Sequence, residues 1–239
     1  MLDRASADAD PPRQAISIKE DVMDNLIRTL TLRVSNAYLL RTTNGFVLID
    51  TGFVFDRKAV ESTLADAGCG PDELRLVVIT HADPDHVGTA AFLRDSYRTK
   101  IAMHRLEVPA VEQGDMFLSR GPLPPRQRLL KPLRSLFRLR RRHRFTPDLL
   151  LEDGDRLTEH GLEATVLHVP GHTRGSIAIL TDEGDLFCGD LLENRHDPAL
   201  ATFVDDADVL KASFDRLKQL DIQTVHPGHG EPFRFDEIG

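Results

Sequence analysis

The six residues from His81 to His86, in the segment Thr80-His81-Ala82-Asp83-Pro84-Asp85-His86, hold four side chains able to bind a metal ion. Histidine offers a neutral imidazole nitrogen and aspartate a hard oxygen, a mixture suited to zinc, iron or manganese. Three later segments add candidates: Pro170-Gly171-His172, Cys188-Gly189-Asp190 and His226-Pro227-Gly228-His229-Gly230. Each follows an apolar, strand-like run and sets a glycine beside the candidate, so the backbone can turn tightly there. A single His or Asp in a loop carries no message. Four such loops, each fed by a strand, point to a metal centre assembled at one edge of the fold. No rival nucleophile stands out: there is no GxSxG elbow, and Cys188 lies in an apolar run that reads as core.

The elements that must deliver these loops are legible as periodicity. Leu26 to Val34, Asn36 to Leu40 and Phe46 to Ile49 read as consecutive antiparallel strands, with Asn44-Gly45 as a turn. Asp56 is a candidate cap for a helix reaching about Ala67, with Gly68 as its stop. Leu74 to Thr80 is a short buried strand feeding His81, Val87 to Arg94 reads as helical, and Lys100 to His104 returns as a strand. Leu149 to Leu151, Ala164 to Val169, Ser176 to Thr181 and Asp185 to Cys188 form a second strand set, followed by a helix from about Asp208 to Leu220. Two strand sets, each with helices, predict two sheets packed face to face with helices outside, in one domain. His104 is expected in core or rim, and His168 as a strand residue.

Composition narrows the setting. Hydrophobic residues make up 41% and charged residues 28% of the 239, as in globular proteins. The longest apolar runs are too short to span a bilayer. Two cysteines, Cys69 and Cys188, make no CxxC pair, so a disulfide framework is not expected and a cytoplasmic setting is the default. Residues 1–14 are polar and acidic without the marks of a signal peptide, and read as a loose tail. The net charge of −8 hides an asymmetry: Met116 to Pro147 carries nine Arg, one Lys and no acid, which leaves −18 on the rest. An acidic body argues against general nucleic-acid binding, which needs clustered cations.

The ordered set of motifs resembles the metallo-β-lactamase superfamily. The family's early Asp motif matches Leu48-Ile49-Asp50-Thr51-Gly52, and its HxHxDH motif corresponds to His81, Asp83, Asp85 and His86. Its later motifs match His172, Asp190 and His229, and the resemblance runs from about Val34 to Pro232. It implies an α+β fold, a four-layer αββα sandwich of two mixed sheets flanked by helices. This domain would fill residues 15–239, with a basic, lid-like insertion at about 115–147. It also implies two divalent cations, one on His81, Asp83 and His172, the other on Asp85, His86 and His229, with Asp190 bridging. Asp50 would support the His81 loop rather than touch metal, and His226 is a second candidate for such support, with a plain turn residue as the stronger alternative. One departure stands out: the family usually has His where this chain has Asp83. Three ionised aspartates, two divalent cations and a bridging hydroxide sum to zero, whereas the usual His would leave one positive charge. Zinc is modestly favoured, and the harder ligand set accommodates iron or manganese.

The resemblance implies hydrolysis of a small ester, thioester, lactone or related substrate by a metal-bound hydroxide, with Asp85 and Asp190 as the catalytic carboxylates. A thioester, in the manner of glyoxalase II-like members, leads. The alternatives are an iron-dependent oxidoreductase of the persulfide dioxygenase kind, which Asp83 supports, and a nucleic-acid or phosphodiester-processing member. A non-catalytic binding module is disfavoured by the complete ligand set. Within the insertion, Arg138, Arg140, Arg141 and Arg142 are candidate contacts for an anionic small-molecule substrate; a basic helix on a membrane or partner, and a solvated face, are the other readings. Leu129, Leu133, Leu136 and Phe137, at helical spacing, favour a lid or a homodimer contact over a free tail.

Overall fold

The computed structural model describes residues 27–120 and 138–238. The expected tail at 1–14 and the apolar helix around Leu129 to Phe137 lie outside the described residues.

The first strand set folds as expected. β1 (Ile27–Thr31), β2 (Asn36–Thr42) and β3 (Gly45–Ile49) form an antiparallel meander. β4 (Leu74–Ile79), β5 (Lys100–His104) and β6 (Leu149–Leu151) extend it in parallel, giving a six-stranded mixed sheet in sequential order. The second set comprises β7 (Ala164–His168), β8 (Ile177–Thr181) and β9 (Asp185–Gly189). After a two-stranded ribbon, β10 (Leu192–Glu193) with β11 (Ala199–Leu200), it is completed by β12 (Thr224–Pro227) and β13 (Phe233–Arg234). The order is β13-β12-β9-β8-β7, with β12 parallel to β9 and the remaining pairs antiparallel.

The side-chain period of two sends each sheet's residues to opposite faces, and both faces are buried here. Val47, Ile49, Leu76 and Val78 of the first sheet meet Val166, Ile179 and Phe187 of the second in an apolar layer between the sheets. The outer face of the first sheet, with Leu48, Val77 and Ile101, is covered by α1 (Arg57–Asp66), α3 (Ala90–Tyr97) and α4 (Val108–Gln113). The outer face of the second, with Leu186 and Val225, is covered by Leu210, Phe214 and Leu217 of α5 (Ala207–Leu217). The molecule is thus the α+β, αββα sandwich of two mixed sheets. No helix among the described residues is long and apolar enough to cross a membrane.

Two local expectations need correction. Asp56 does not cap α1, because it already lies in a 3-10 turn, Val54–Asp56, with helical φ −84 and ψ −1. From there its carboxylate turns back to accept the Phe53 N–H at 3.0 Å and pairs with Arg33. The helix expected over Val87 to Arg94 is two: α2 (Pro84–Val87) and α3, separated at Gly88-Thr89. The Gly88 N–H donates to the Gly52 carbonyl at 2.8 Å, and a Cβ at Gly88 would lie 2.2 Å from the Val54 nitrogen. The chain breaks where that backbone contact leaves no room for a side chain.

The strand directions position the site. Asp50 follows β3, His81 follows β4, Asp190 follows β9 and His229 follows β12, so four carboxyl strand ends open at one edge. That is where an open mixed or parallel sheet leaves backbone and side chains free to converge.

Candidate metal centre

Three of the four motif histidines spend Nδ1 outward. His86 Nδ1 donates to Asp50 Oδ2 at 2.8 Å, His172 Nδ1 to the Phe203 carbonyl at 2.6 Å, and His229 Nδ1 to the Val34 carbonyl. His81 follows by elimination. The Thr80 hydroxyl gives its one hydrogen to Asp50 Oδ2 at 2.7 Å, so at 3.0 Å from His81 Nδ1 it can only accept. All four rings therefore turn an unprotonated Nε2 toward one another, and all four are buried. The Asp50 carboxylate, which also accepts the Thr80 N–H at 2.9 Å, anchors two of the rings from behind.

The carboxylates complete two groups. His172 Nε2 lies 3.2 Å from Asp83 Oδ2, and His81 Nε2 lies 3.8 Å from the same oxygen. Asp85 Oδ2 lies 3.9 Å from His86 Nε2 and 3.6 Å from His229 Nε2. Asp190 stands between the groups: Oδ2 is 3.2 Å from His229, 3.6 Å from His172 and 3.9 Å from His81, while Oδ1 is 3.4 Å from His86. His81, Asp83 and His172 could hold one ion, and Asp85, His86 and His229 another.

These residues fit metal. His81 Nε2, His86 Nε2, Asp83 Oδ1 and Asp190 Oδ1 are buried without a hydrogen-bond partner. Acceptors facing acceptors repel unless a cation lies between them. Ligand bonds of about 2.0–2.2 Å in a tetrahedral shell set ligand atoms roughly 3.4 Å apart, and the separations here run from 3.2 to 3.9 Å. The electrostatics call for positive charge here: burial lowers His86 and His172, but Asp190 and the neighbouring carboxylates overcome it and raise both rings, so without a cation between them these rings take up protons. Burial, followed by its histidine neighbours, drives His81 well below the ordinary imidazole range. Burial alone would raise Asp190, but His86 and His172 overcome it and hold the carboxyl well down.

Other expected residues fall elsewhere. His226 stands apart from the cluster: its Nε2 reaches Asp185 at 2.9 Å and its ring stacks on Phe187, because strand alternation turns it under the site rather than into it. His104 is buried and stacks on His168. Arg138, Arg140 and Arg142 line a cavity of about 310 Å³ with the stacked rings of Phe53 and Phe55, and Pro84 joins that cavity to the His81 loop. Arg141 is exposed but does not line it. An isolated antiparallel bridge joins Asp115 to Arg138.

Two buried residues escaped the sequence reading. Glu107 accepts the Ala82 N–H at 2.8 Å, the Thr173 hydroxyl at 2.8 Å and the Gly175 N–H at 3.0 Å, clamping the His81 loop to the His172 loop. Arg120, its side chain 1% exposed, pairs with Asp83 and with Asp205. No spacing marks Glu107, and Arg120 is one arginine among many in the basic stretch.

Comparison with known proteins bears on the family and the fold. The model of the metallo-beta-lactamase superfamily matches residues 30–229. The acyl-coenzyme A thioesterase MBLAC2 of Gallus gallus is 30% identical over 220 residues, covering 85% of this chain and 75% of that protein. Hydroxyacylglutathione hydrolase of Aeromonas salmonicida is 30% identical over 161 residues, 65% of this chain and 45% of that protein. Among solved structures, TTHA1623 in a di-iron-bound form superposes with a TM-score of 0.66 at 30% identity, covering 87% of this chain and 93% of its own. The BLEG-1 B3 metallo-beta-lactamase does so at 0.69 and 23% identity, over 88% and 95% of the two chains, a likeness of fold.

Proposed function

Because the chain belongs to the metallo-beta-lactamase superfamily, we propose that it is a metal-dependent hydrolase of acyl thioesters, with an anionic carrier such as coenzyme A as the thiol half. The observation that carries this is the convergence of four inward Nε2 lone pairs and three aspartates at one sheet edge. Relatives that act on acyl-coenzyme A and hydroxyacylglutathione support the thioester. His81, Asp83 and His172 would hold one divalent cation, Asp85, His86 and His229 the other, and Asp190 would touch both. Bound there, the pair supplies Lewis acidity and makes water acidic enough to act as a nucleophile near neutral pH.

The chain's own residues supply the rest. Asp50, the Thr80 hydroxyl and the backbone carbonyls fix the ring tautomers, so each Nε2 stays unprotonated. Asp85, with its side chain 18% exposed, is the most open of the three carboxylates and is placed to accept a proton from the attacking water. A thiol has a pKa of about 8.5 and leaves as thiolate without a strong acid, so this site suits thioesters better than amides. Arg138, Arg140 and Arg142 supply cations beside two stacked phenyl rings, a combination suited to the phosphates and base of a nucleotide carrier.

Zinc is the metal this reading favours. The 30% identity with TTHA1623 in its di-iron-bound form supports a second reading, an iron-dependent oxidoreductase. One experiment separates them: metal content of protein purified without added metal, with thiol release from acyl-coenzyme A and acyl-glutathione. Turnover of a thioester, lost on chelation and restored by zinc, is expected, and Asp190→Asn should lose both metal and turnover. Iron with oxygen uptake on a persulfide, and inert thioesters, would overturn the hydrolase.

A further inference from the structure

The first group of ligands already holds a cation of the chain's own. Arg120 lies at the start of the basic insertion, and its guanidinium sits over the Phe203 ring at 5.0 Å. Nη1 donates to Asp205 Oδ1 at 3.2 Å and to the His172 carbonyl at 3.3 Å. Nη2 reaches Asp83 Oδ2 and lies 3.3 Å from His172 Nε2.

Those two acceptors decide the consequence. His172 Nδ1 spends its hydrogen on Phe203, so Nε2 has a single lone pair, and a guanidinium can only donate to it. On Asp83, the oxygen taken by Arg120 is Oδ2, the same oxygen that faces His172 Nε2 at 3.2 Å and His81 Nε2 at 3.8 Å. Arg120 therefore occupies the His172 Nε2 lone pair and one on Asp83 Oδ2, two positions a first metal ion would use, while His81 Nε2 and Asp83 Oδ1 stay without a partner. Among the described residues, no Lys or Arg makes a hydrogen bond or ion pair with the side chains of Asp85, His86, His229 or Asp190. The asymmetry matches the sequence departure. Asp83 adds a negative charge where the family has a neutral His, and Arg120 returns one positive charge to the same atom.

Resting on the metal-centre reading above, we infer that Arg120 competes with the first cation for Asp83 and His172, so the two halves of the centre load unequally. The half built on Asp85, His86, His229 and Asp190 binds tightly. The half built on His81, Asp83 and His172 fills only as the guanidinium withdraws toward Asp205.

The test is a cobalt(II) titration of the full-length chain, stripped with chelator and followed by visible absorption and calorimetry. The wild type should take one equivalent tightly and a second about 10- to 100-fold more weakly, the scale on which residues behind metal ligands act. Arg120→Met should tighten the second equivalent about tenfold or more on the same scale. Asp83→His, which removes the carboxylate Arg120 holds and supplies a neutral ligand, should move it the same way. Two equal equivalents in the wild type, or a second constant unchanged in both variants, would overturn the competition and leave the metal centre standing. Cobalt bound by none of the three chains would overturn both.

Discussion

Glu107 is fully buried, and its two oxygens take three donors from two different site loops. Burial raises its carboxyl, while the Thr173 hydroxyl and the Ala82 N–H oppose the rise. Glutamine is its nearest isostere and cannot do the same work. With the amide oxygen on Thr173 and Gly175, the NH₂ group faces the Ala82 N–H, and a buried donor is left unpaired. Glu107→Gln should therefore lower stability by about 1–3 kcal/mol, read as a fall in Tm, and weaken metal binding because the His81 loop is released. An unchanged Tm would reduce Glu107 to a spectator. At this scale the candidate ligands were legible, since His and Asp beside glycine after a strand carry a chemical signature. Glu107 was not, because a lone Glu gains meaning only from the donors that meet it.

Strand ends decide how closely the loops can meet. Gly228 follows β12 and bonds to β9 through its N–H on the Gly189 carbonyl, at 2.8 Å. A Cβ there would stand 2.3 Å from Asp190 Oδ1 and 2.9 Å from His86 Cε1. Gly228→Ala should thus displace Asp190 and weaken metal binding about 10- to 100-fold, the cost typical when a ligand's support is disturbed, with the far-UV circular dichroism unchanged. Wild-type affinity in that variant would show that the loop has slack. The strands β1 to β9 were read to within a few residues from periodicity alone, whereas β10 to β13 were given no bounds. The break between α2 and α3 was not, because it depends on the Gly52 carbonyl, which is 36 positions away in the sequence yet 2.8 Å from the Gly88 N–H.

Across the whole molecule, charge is divided between an acidic body and the basic stretch over 116–147, and the described arginines Arg138, Arg140 and Arg142 line the cavity that Pro84 also lines. Reversing the three to Glu should raise KM for acyl-coenzyme A by about tenfold or more, the size of one lost charge-assisted hydrogen bond. kcat should change little, and the difference should shrink with added salt, because exposed charges are screened over about 8 Å at physiological ionic strength. Equal KM values at low salt would leave the arginines as surface.

From the sequence alone came the family resemblance, the sandwich and all seven candidate ligands, because strand periodicity, glycine turns and ligand chemistry are written locally. Only the tertiary structure decided that Arg120 lies on Asp83, that Glu107 joins two loops, and that His226 turns toward Asp185. Each of these depends on which lone pair meets which donor across segments remote in the chain, a matter of packing that no spacing along the sequence encodes.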